Sequence, residues 1–516
     1  MLLFPIAMLQ WFEDLKIALI NHPPSLPLLL IFFSIFFLLL LNRAWLTMKF
    51  KLLPSPPRLP FIGHLHCLGS LPHRSLQALS QKYAPIMLLH LGFNPTLVVS
   101  SAKMAREIMK THDAIFSDRP TIKGAKEFLY GGKDVAFAPY GEYWRQMKKI
   151  CVTDLLSVKR VQSFRYVREE EITDMVNNIK GLCLLGMDVK IGDLLAGVTN
   201  NIISRATFGK RLEGRERTEL IKEMVGQFGM FSFEDVFPSL GWIDGLTGIS
   251  SRMRKTARAL HNLLDEVIEE HMQFLKTDAQ DDRKDMVDLL LKVENDPTLG
   301  VEFTRDSHRA VLTDMLTGGT ESISTTLEWI MAELLTHPNV MNKLQDGVRR
   351  IVGTKGRIDE DDISQMDYVK CVIMESLRLH PPTALSLPRV STTSTDIEGY
   401  HIPAKTRVIV NIWAICRDPK AWDRPNEFIP ERFANSPVDY KGAHFEFIPF
   451  GAGRRICPGI AFSIASLESI LANLMYWFDW EYTSGANRMD VNKSERSGIS
   501  VHLKHPLVLV PRSHFA

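Results

Sequence analysis

An apolar run near the N-terminus constrains the topology of this chain more than any other feature. Residues 26–41 read LPLLLIFFSIFFLLLL, and further apolar residues follow within a few positions. About twenty such residues cross the hydrocarbon layer of a membrane as a helix. A cleaved signal peptide, the alternative, has a shorter apolar core behind basic residues, whereas here the basic residues Arg43, Lys49 and Lys51 follow the run. We therefore predict an uncleaved transmembrane anchor over residues 26–46.

The charges that flank this run set its orientation. Basic residues favour the cytosolic side of a membrane, so residues 1–25 are predicted to be lumenal and the remainder of the chain cytosolic. Residues 47–66 contain basic residues and four prolines, which keep the backbone extended and exclude a helix. We predict that this segment is a stiff hinge and that residues 67–516 form one domain.

Composition favours one large globular body. The chain has 516 residues, of which 45% are hydrophobic and 23% charged, and no Gly/Ser-rich or Pro-rich linker interrupts its interior. These values lie far from those of disordered chains. A net charge of +2 provides no broad positive surface, which argues against a nucleic-acid-binding protein. The six cysteines show no CxxC spacing and are too sparse for a disulfide framework, so a reducing compartment is expected.

Helical periodicity dominates the body of the chain. The predicted helices are 74–84, 101–112, 140–156, 164–180, 197–207, 217–230, 252–276, 284–293, 305–337, 339–353 and 366–380. Strand-like pieces are shorter and fewer, near residues 86, 95, 407 and 506. The expected fold class is therefore mainly α with a small β region. The charge run DAQDDRKD at 278–285 is interpreted as a solvated loop between helices.

The strongest chemical signal is the loop FIPFGAGRRICPGI at residues 447–460. Its glycines permit tight turns and close approach of the backbone to a flat ligand, and its two arginines suit carboxylates on that ligand. Cys457 lies close to backbone donors and positive charge, so it is expected to be a thiolate, the form that binds a metal. The apparent GxGxxG at Gly451 fails at Ile456 and lacks a strand–turn–helix context, which excludes dinucleotide binding.

This loop resembles the haem-binding signature of the cytochrome P450 family. The matching positions are Phe450, Gly453, Arg455, Cys457 and Gly459. In that family the cysteine thiolate is the axial ligand of the iron of haem b and favours O–O cleavage. The resemblance extends over nearly the whole chain. It implies a cytochrome P450 fold behind the single N-terminal transmembrane helix, with Phe450 and Gly451 beside the cofactor.

Two further motifs occur in the order that the family shows. Glu375 and Arg378 lie three residues apart in MESLRLHPP, so they share a face of a predicted helix. The resemblance implies that they form the Glu-x-x-Arg pair that binds Arg432 of the FIPERF segment. The same resemblance assigns the haem propionates to four residues: Trp144, Lys148, Arg389 and Arg455. Lysine at position 148 replaces the usual arginine, which keeps the charge and loses the bidentate fork.

The segment that handles oxygen in the family departs from the usual pattern. Residues 314–329 read DMLTGGTESISTTLEW, in which Glu321 and Ser322 resemble the acid and the alcohol that deliver protons. Serine replaces the usual threonine; it keeps the hydroxyl and loses the methyl that stiffens χ1, so proton delivery stays feasible. A serine that only bonds back within its own helix is the alternative. Gly318 and Gly319 are expected to open the helix locally, at roughly 1 kcal/mol each relative to alanine.

The resemblance also implies partners and a location. The chain has no flavin or nicotinamide motif, so electrons are expected from NADPH–cytochrome P450 reductase, with cytochrome b5 as a further partner. Lys148, Lys149 and Arg454 are expected to meet the acidic surface of the reductase. The implied location is the endoplasmic reticulum membrane, with one transmembrane helix and a cytosolic catalytic domain.

The substrate cavity is expected to take a small lipophilic molecule. By resemblance it is lined by five mostly apolar segments: residues 120–138, 229–237, 314–323, 383–387 and 498–501. No charged anchor stands out among them, which favours a lipophilic or weakly basic substrate over an organic acid. Phrases such as APYGEYWRQMKKICV and FPSLGWIDGLTG resemble A-type plant enzymes of specialised metabolism. They imply hydroxylation or oxidative cyclisation of a terpenoid, an alkaloid or a phenolic of coumarin type.

Three functions stay open at this level. The leading one is a haem-thiolate monooxygenase that uses O2 and electrons from the reductase. The second, suggested by Ser322, is a haem-thiolate isomerase or dehydratase that needs no external electrons. The third is a non-catalytic haem-binding membrane protein, against which the acid–alcohol pair and the set of cations argue. NADPH dependence and product oxygen derived from O2 separate the first two.

Overall fold

The computed structural model describes most of the chain beyond the apolar run. The described residues are Leu30, Ile31, Phe33, Ser34, Phe37, 53–212, 214–275, 284–294, 300–482 and 493–515. The predictions for residues 1–25, for most of 26–52 and for 278–283 lie outside the described residues. The chain divides into a large and a small unit: Pro54–Thr393 with Ala404–Ala516, and Met1–Leu53 with Ser394–Pro403.

Helices dominate the large unit. They are α1 (Pro72–Lys82), α2 (Ala102–Arg106), α3 (Lys123–Phe128), α4 (Glu142–Ile150), α5 (Val158–Ser163), α6 (Arg165–Leu185), α7 (Ile191–Phe208), α8 (Arg215–Phe228), α9 (Phe233–Val236), α10 (Ile243–Leu246), α11 (Ile249–Leu275), α12 (Met286–Glu294), α13 (Arg305–Thr336), α14 (Pro338–Val352), α15 (Glu360–Ser364), α16 (Asp367–Leu379), α17 (Ile412–Ile415) and α18 (Ile460–Trp477). Each predicted helix corresponds to one of these, which confirms the mainly helical class. Helices α2 and α4 continue into π-helical turns, Glu107–Thr111 and Cys151–Leu155.

The β region is small, as predicted. Its strands are β1 (Ile86–Leu91), β2 (Asn94–Val99), β3 (Val189–Lys190), β4 (Arg389–Val390), β5 (Thr395–Ile397), β6 (Tyr400–Ile402), β7 (Arg407–Val410), β8 (Phe478–Tyr482), β9 (Glu495–Arg496), β10 (His502–Leu503) and β11 (Val508–Ser513). The largest sheet has the order β1-β2-β7-β4, in which β2 and β7 are parallel. Strands β3, β11 and β8 form an antiparallel sheet, and β9 pairs with β10. In the small unit, β5 and β6 form an antiparallel hairpin.

Helix α13 positions several of the predicted site residues. It begins at a capping box in which Thr304 and Ser307 exchange hydrogen bonds, and it packs along α7 and against α16 and α18. The helix is continuous through Gly318 and Gly319, so the predicted local opening is wrong. A Cβ on Gly319 would stand 2.7 Å from Cδ1 of Ile203 on α7. The glycine therefore permits close helix packing, which outweighs its weak helix propensity.

Helix α18 escapes prediction by periodicity because it is apolar on nearly every side. Among the described residues it is the one helix long and apolar enough to cross a membrane, and 61% of its residues are buried within the protein. It packs against α6, α13, α14 and α16 as a core helix. Cys457 lies three residues before its first residue, so this helix fixes the position of the cysteine loop.

Candidate functional site

The cysteine loop folds through turns that require glycine. Gly451 and Gly453 have φ angles of 73° and 71°, in the left-handed region. A Cβ on Gly453 would stand 1.9 Å from the carbonyl oxygen of Met109, so no other residue fits there without a shift. The Cys457 amide donates to the carbonyl oxygen of Phe450 over 3.0 Å. The predicted loop residues thus form one closed turn directly before α18.

The protein supplies two stabilising groups to the Cys457 sulfur. The Gly459 amide donates to Sγ over 3.3 Å, and the Lys148 ammonium acts on it through space. Burial nevertheless raises the pKa of the Cys457 thiol and outweighs both effects. These residues fit a haem iron, because a bound metal ion supplies the charge that a coordinating thiolate requires.

Two predicted propionate partners, Arg389 and Arg455, lie close together. The Arg455 guanidinium donates to three main-chain carbonyl oxygens, those of Ser117, Val135 and Ala138, over 2.8, 3.2 and 2.5 Å. Arg389 is buried, donates to the carbonyl oxygen of Ala452 over 3.1 Å and pairs with Asp113 over 3.3 Å. Burial lowers the pKa of both side chains; at Arg455, burial and then the charge of Arg389 lower the pKa to about 10.

A third arginine, Arg119, joins this group and was not predicted. Its guanidinium donates over 2.8 Å to the carbonyl oxygens of Ala136, Leu387 and Pro388. Burial, followed by the charges of Arg389 and Arg455, lowers the pKa of Arg119. Of these three arginines, Arg389 alone has a carboxylate at ion-pair distance within the described part of the chain. A buried positive charge with so little compensation fits an anionic ligand such as the two propionates of haem. No spacing in the sequence separates Arg119 from a surface arginine.

Trp144 and Lys148 lie four residues apart on one face of α4, next to the same arginines. The Trp144 indole donates to the carbonyl oxygen of Val135 over 3.0 Å, and the Arg455 guanidinium lies 4.1 Å from the centre of its ring. The Lys148 ammonium donates to the carbonyl oxygen of Ile456. Burial lowers the pKa of Lys148. Both residues therefore support the cysteine loop and its cations from α4.

Glu375 lies at the centre of a buried ion-pair network. Its carboxylate accepts from Arg378 over 2.7 and 2.9 Å, from Arg432 over 3.0 Å and from the Ile429 amide over 2.8 Å. Arg378 also donates to the carbonyl oxygens of Cys416, Pro425 and Glu427. Glu375 and Arg378 are both completely buried. The network joins α16 to the FIPERF segment, and the motif spacing brings these three side chains together.

Glu321 and Ser322 are neighbours on α13 but bind different partners. The Ser322 hydroxyl donates to the carbonyl oxygen of Gly318 over 2.6 Å, the back-bonded arrangement within its own helix. Glu321 Oε1 lies 2.7 Å from Nε2 of His502. The described hydrogen bonds therefore do not join the acid directly to the alcohol. His502 was not predicted, although it directly follows the cavity segment 498–501.

The predicted cavity segments approach one another in pairs. A Cβ on Gly229 would stand 3.5 Å from Cγ1 of Ile499, which brings 229–237 next to 498–501. Ala384 and Val501 belong to one buried apolar cluster with Trp413. The fold thus gathers at one place segments that lie more than a hundred residues apart in the sequence.

Two carboxyl groups that were not predicted join two further cavity segments. Asp314 of α13 accepts from the amides of Val135 and Ala136 over 2.7 and 3.3 Å. Asp134 is buried; its Oδ2 accepts from the Phe137 amide over 2.7 Å, and a side-chain hydrogen bond between Asp134 and Asp314 raises the pKa of Asp314. Burial raises the pKa of Asp134 to about 6, and burial followed by the charge of Asp134 raises that of Asp314 well above its ordinary value. This arrangement fits one proton shared between the two carboxyls.

Comparisons with known proteins point to one family. A family model described as cytochrome P450 matches residues 53–510. Cytochrome P450 71A1 of Persea americana is 49% identical over 88% of this chain and 92% of its own length. Phenylacetaldehyde oxime monooxygenase CYP71AN24 of Prunus mume is 47% identical over 93% of each chain. A solved zebra fish cytochrome P450 with abiraterone has a TM-score of 0.73 and 25% sequence identity, over 87% of this chain and 100% of that chain.

Proposed function

This chain belongs to the cytochrome P450 family, and we propose that it is a membrane-anchored monooxygenase that oxidises a small lipophilic plant metabolite with O2 and reductase-supplied electrons. The fold, the haem cofactor and the monooxygenase class follow from the family. The observation that carries the proposal is the buried cation group beside the Cys457 loop. Its members donate mainly to main-chain carbonyl oxygens, so their charge remains for the carboxylates of a ligand.

The chain's own residues have separate tasks in holding the cofactor. When bound, the haem would supply the O2-activating chemistry, and the Cys457 sulfur would hold its iron. We assign its propionates to a group of four cations: Arg119, Lys148, Arg389 and Arg455. Trp144 orients Arg455 through the ring contact, and the turn at Phe450 and Gly451 places the thiolate. The network of Glu375, Arg378 and Arg432 holds the segment that precedes this loop.

On the oxygen side, Glu321 and Ser322 handle protons. Oxidation with one atom of O2 leaves the other atom as water, and forming that water consumes two protons. The single proton of the Ser322 hydroxyl is donated to the Gly318 carbonyl oxygen, so a relay requires the hydroxyl to turn away from Gly318, after which it can accept a proton on a lone pair and pass its own proton on. Glu321 is the nearest acid in sequence and supplies the proton.

Two charged side chains near the predicted cavity are paired within the protein, which favours an uncharged or weakly basic substrate. Glu321 is bound to His502, and Lys123 of the 120–138 segment lies 3.3 Å from the Asp244 carboxylate. Aromatic rings pack in the same region: Phe128, Phe137 and Phe228. We propose a terpenoid, alkaloid or phenolic substrate. Phenylacetaldehyde oxime, for which one relative is named, is likewise small and uncharged.

A basic surface beside the cysteine loop suits an acidic redox partner. The Arg454 side chain is 52% exposed, and Lys149 is exposed on α4. Lys148 donates to the Ile456 carbonyl oxygen and is committed to the loop, so we assign docking to Lys149 and Arg454 instead. The proposed partners are NADPH–cytochrome P450 reductase and cytochrome b5, whose acidic surfaces would be steered by these charges.

Exposed apolar side chains support a membrane location. Phe61, Trp242 and Leu246 are 81%, 62% and 78% exposed. The β1–β2 turn lies beside the α9 region, because the Phe93 amide donates to the carbonyl oxygen of Val236 over 3.2 Å. Trp242 and Leu246 lie four residues apart, one turn of α10, and neighbouring exposed apolar residues of this kind mark a membrane or protein contact. We propose the endoplasmic reticulum membrane, with residues 26–46 as the anchor, 47–66 as the hinge and 67–516 as the cytosolic catalytic domain.

The test is turnover by membranes that contain the full chain and a plant reductase. A panel of plant metabolites is supplied with NADPH and isotopically labelled O2, and the spectrum of the reduced carbon monoxide complex reports the haem thiolate. A product with labelled oxygen, or one oxidised by two electrons, supports the monooxygenase. Turnover without NADPH would identify an isomerase or dehydratase. A normal carbon monoxide spectrum without any NADPH oxidation would identify a non-catalytic haem protein. Cys457→Ala should abolish spectrum and turnover, whereas the matched change Cys67→Ala, at a half-buried cysteine, should leave both intact.

A further inference from the structure

Side chains on three successive turns of α13 form hydrogen bonds with His502 and with its neighbour Val501. Glu321, Thr325 and Trp329 are spaced four residues apart and so share a face of the helix. Glu321 Oε1 lies 2.7 Å from His502 Nε2, and Thr325 Oγ1 lies 3.0 Å from His502 Nδ1. The Trp329 indole donates to the carbonyl oxygen of Val501 over 2.8 Å. Both ring nitrogens of His502 are engaged, so the orientation of the imidazole is fixed.

His502 also lies between a buried carboxylate oxygen and solvent. The His502 side chain is 22% exposed and that of Glu321 17%. Glu321 Oε2 is buried and has no hydrogen-bond partner among the described residues. Two further charged residues face His502. Burial raises the pKa of Glu328, whereas the charges of His502 and Arg496 lower it. Arg496 lies opposite His502 in the antiparallel pairing of β9 and β10.

From this geometry we propose that His502 positions Glu321 and resupplies it with protons from solvent. The inference rests on the proposed monooxygenase function and adds a residue to its proton supply. Nδ1 of His502 first takes a proton from water and parts from the Thr325 hydroxyl; Nε2 then gives its proton to the Glu321 carboxylate, and the ring is left neutral, so one proton leaves solvent and one reaches the acid. Glu321 then passes its proton to the side of Ser322. Without His502, no side chain in the described part of the chain hydrogen-bonds to the Glu321 carboxylate.

Two substitutions at His502 separate positioning from proton transfer. His502→Phe removes both, whereas His502→Gln keeps a hydrogen-bond donor and cannot relay a proton. His505→Gln is the matched control, because His505 is exposed on the same stretch of chain. Product formed and hydrogen peroxide released are measured for each NADPH consumed. Both His502 variants should yield roughly tenfold less product per NADPH, with NADPH oxidation and the carbon monoxide spectrum unchanged. Wild-type coupling in His502→Gln would overturn the relay, and wild-type coupling in His502→Phe would overturn the whole inference.

A second readout does not depend on turnover. Nitrogen chemical shifts of isotope-labelled histidine show which ring nitrogen carries hydrogen, and the His502 signal is assigned by its loss in His502→Gln. In the diamagnetic ferrous carbon monoxide form we expect His502 to carry hydrogen on Nε2, and Glu321→Ala to abolish that preference. A mixture of tautomers in the wild type would overturn the proposed pair. If no substrate is oxidised at the expense of NADPH, the proposed function fails while this measurement still tests the pair.

Discussion

Replacing Asp134 by asparagine isolates the proton that Asp134 and Asp314 share. The asparagine oxygen can accept from the Phe137 amide as Asp134 Oδ2 does, and its amide can donate to Asp314 in place of the shared proton. The variant therefore resembles the protonated wild type at every pH. Because burial raises the pKa of Asp134 from 3.8 to about 6, the folded state favours its protonated form.

The sign and size of the change in folding stability follow from the pKa of Asp134. A raised acid contributes stability that is fully present below its unfolded pKa and is lost as the pH rises through its folded pKa. At about 1.4 kcal/mol per pH unit, the change from 3.8 to about 6 costs the wild type about 3 kcal/mol at pH 8. About half of this loss is already present at pH 5. For a chain of this length, about 3 kcal/mol corresponds to about 3 °C in Tm.

The assay is thermal unfolding of the haem-loaded full chain, followed at one scan rate between pH 5 and pH 8. We expect Asp134→Asn to have a higher Tm than the wild type at pH 8. At pH 5 the difference in Tm between the two proteins should be about half as large. The exposed residue Asp188 provides the control, since Asp188→Asn should show no gap that changes with pH. A gap of constant size, or one that widens toward pH 5, would refute the shared proton.

Three further predictions concern the loop, the core and the docking surface. Gly453→Ala should lose the haem-thiolate spectrum because its Cβ meets a backbone oxygen at 1.9 Å, whereas Gly451→Ala, which has the strain of a positive φ but open space at its Cβ, should lose only part of it. Glu375→Ala leaves two arginines without their buried carboxylate and should cost about 3–5 kcal/mol, seen as a lower Tm and less haem-loaded protein. The double change Lys149→Glu and Arg454→Glu should weaken reductase-driven turnover several-fold, most at low salt, while peroxide-driven turnover stays at the wild-type level; equal loss in both assays would contradict a docking role.

The elements and motifs that depend on local spacing could be predicted from the sequence. Long amphipathic helices repeat every 3.6 residues, and the cysteine loop and the Glu375–Arg378 pair have fixed local intervals. Helix α18 has no such signal, because a helix buried on most sides carries no polar face to alternate with its apolar one. The path of α13 through Gly319 was predicted wrongly for a related reason. Local propensity disfavours glycine there, and the deciding contact is with Ile203 of another helix.

The residues that sequence reasoning missed are paired over long distances along the chain. Glu321 and His502 are 181 positions apart, and Asp314 and Val135 are 179 apart, so no spacing rule connects them. Arg119 is likewise defined only by carbonyl oxygens that folding brings to it. Motifs identify residues at fixed local intervals, whereas residues that are joined across long stretches of the chain become visible only in three dimensions.

Helix α13 links the two ends of the candidate site through its acidic residues. Asp314 binds the amide of Val135, whose carbonyl oxygen accepts from both Trp144 and Arg455 on the cofactor side. Glu321 lies about two helical turns further along and binds His502 on the side of the cavity segment. Because one rigid helix carries both carboxyls, the loop that supports the cations and the strand that supports the proton supply share one frame. The two acids therefore lie on the same helix, and each of them is bound by a different distant segment of the chain.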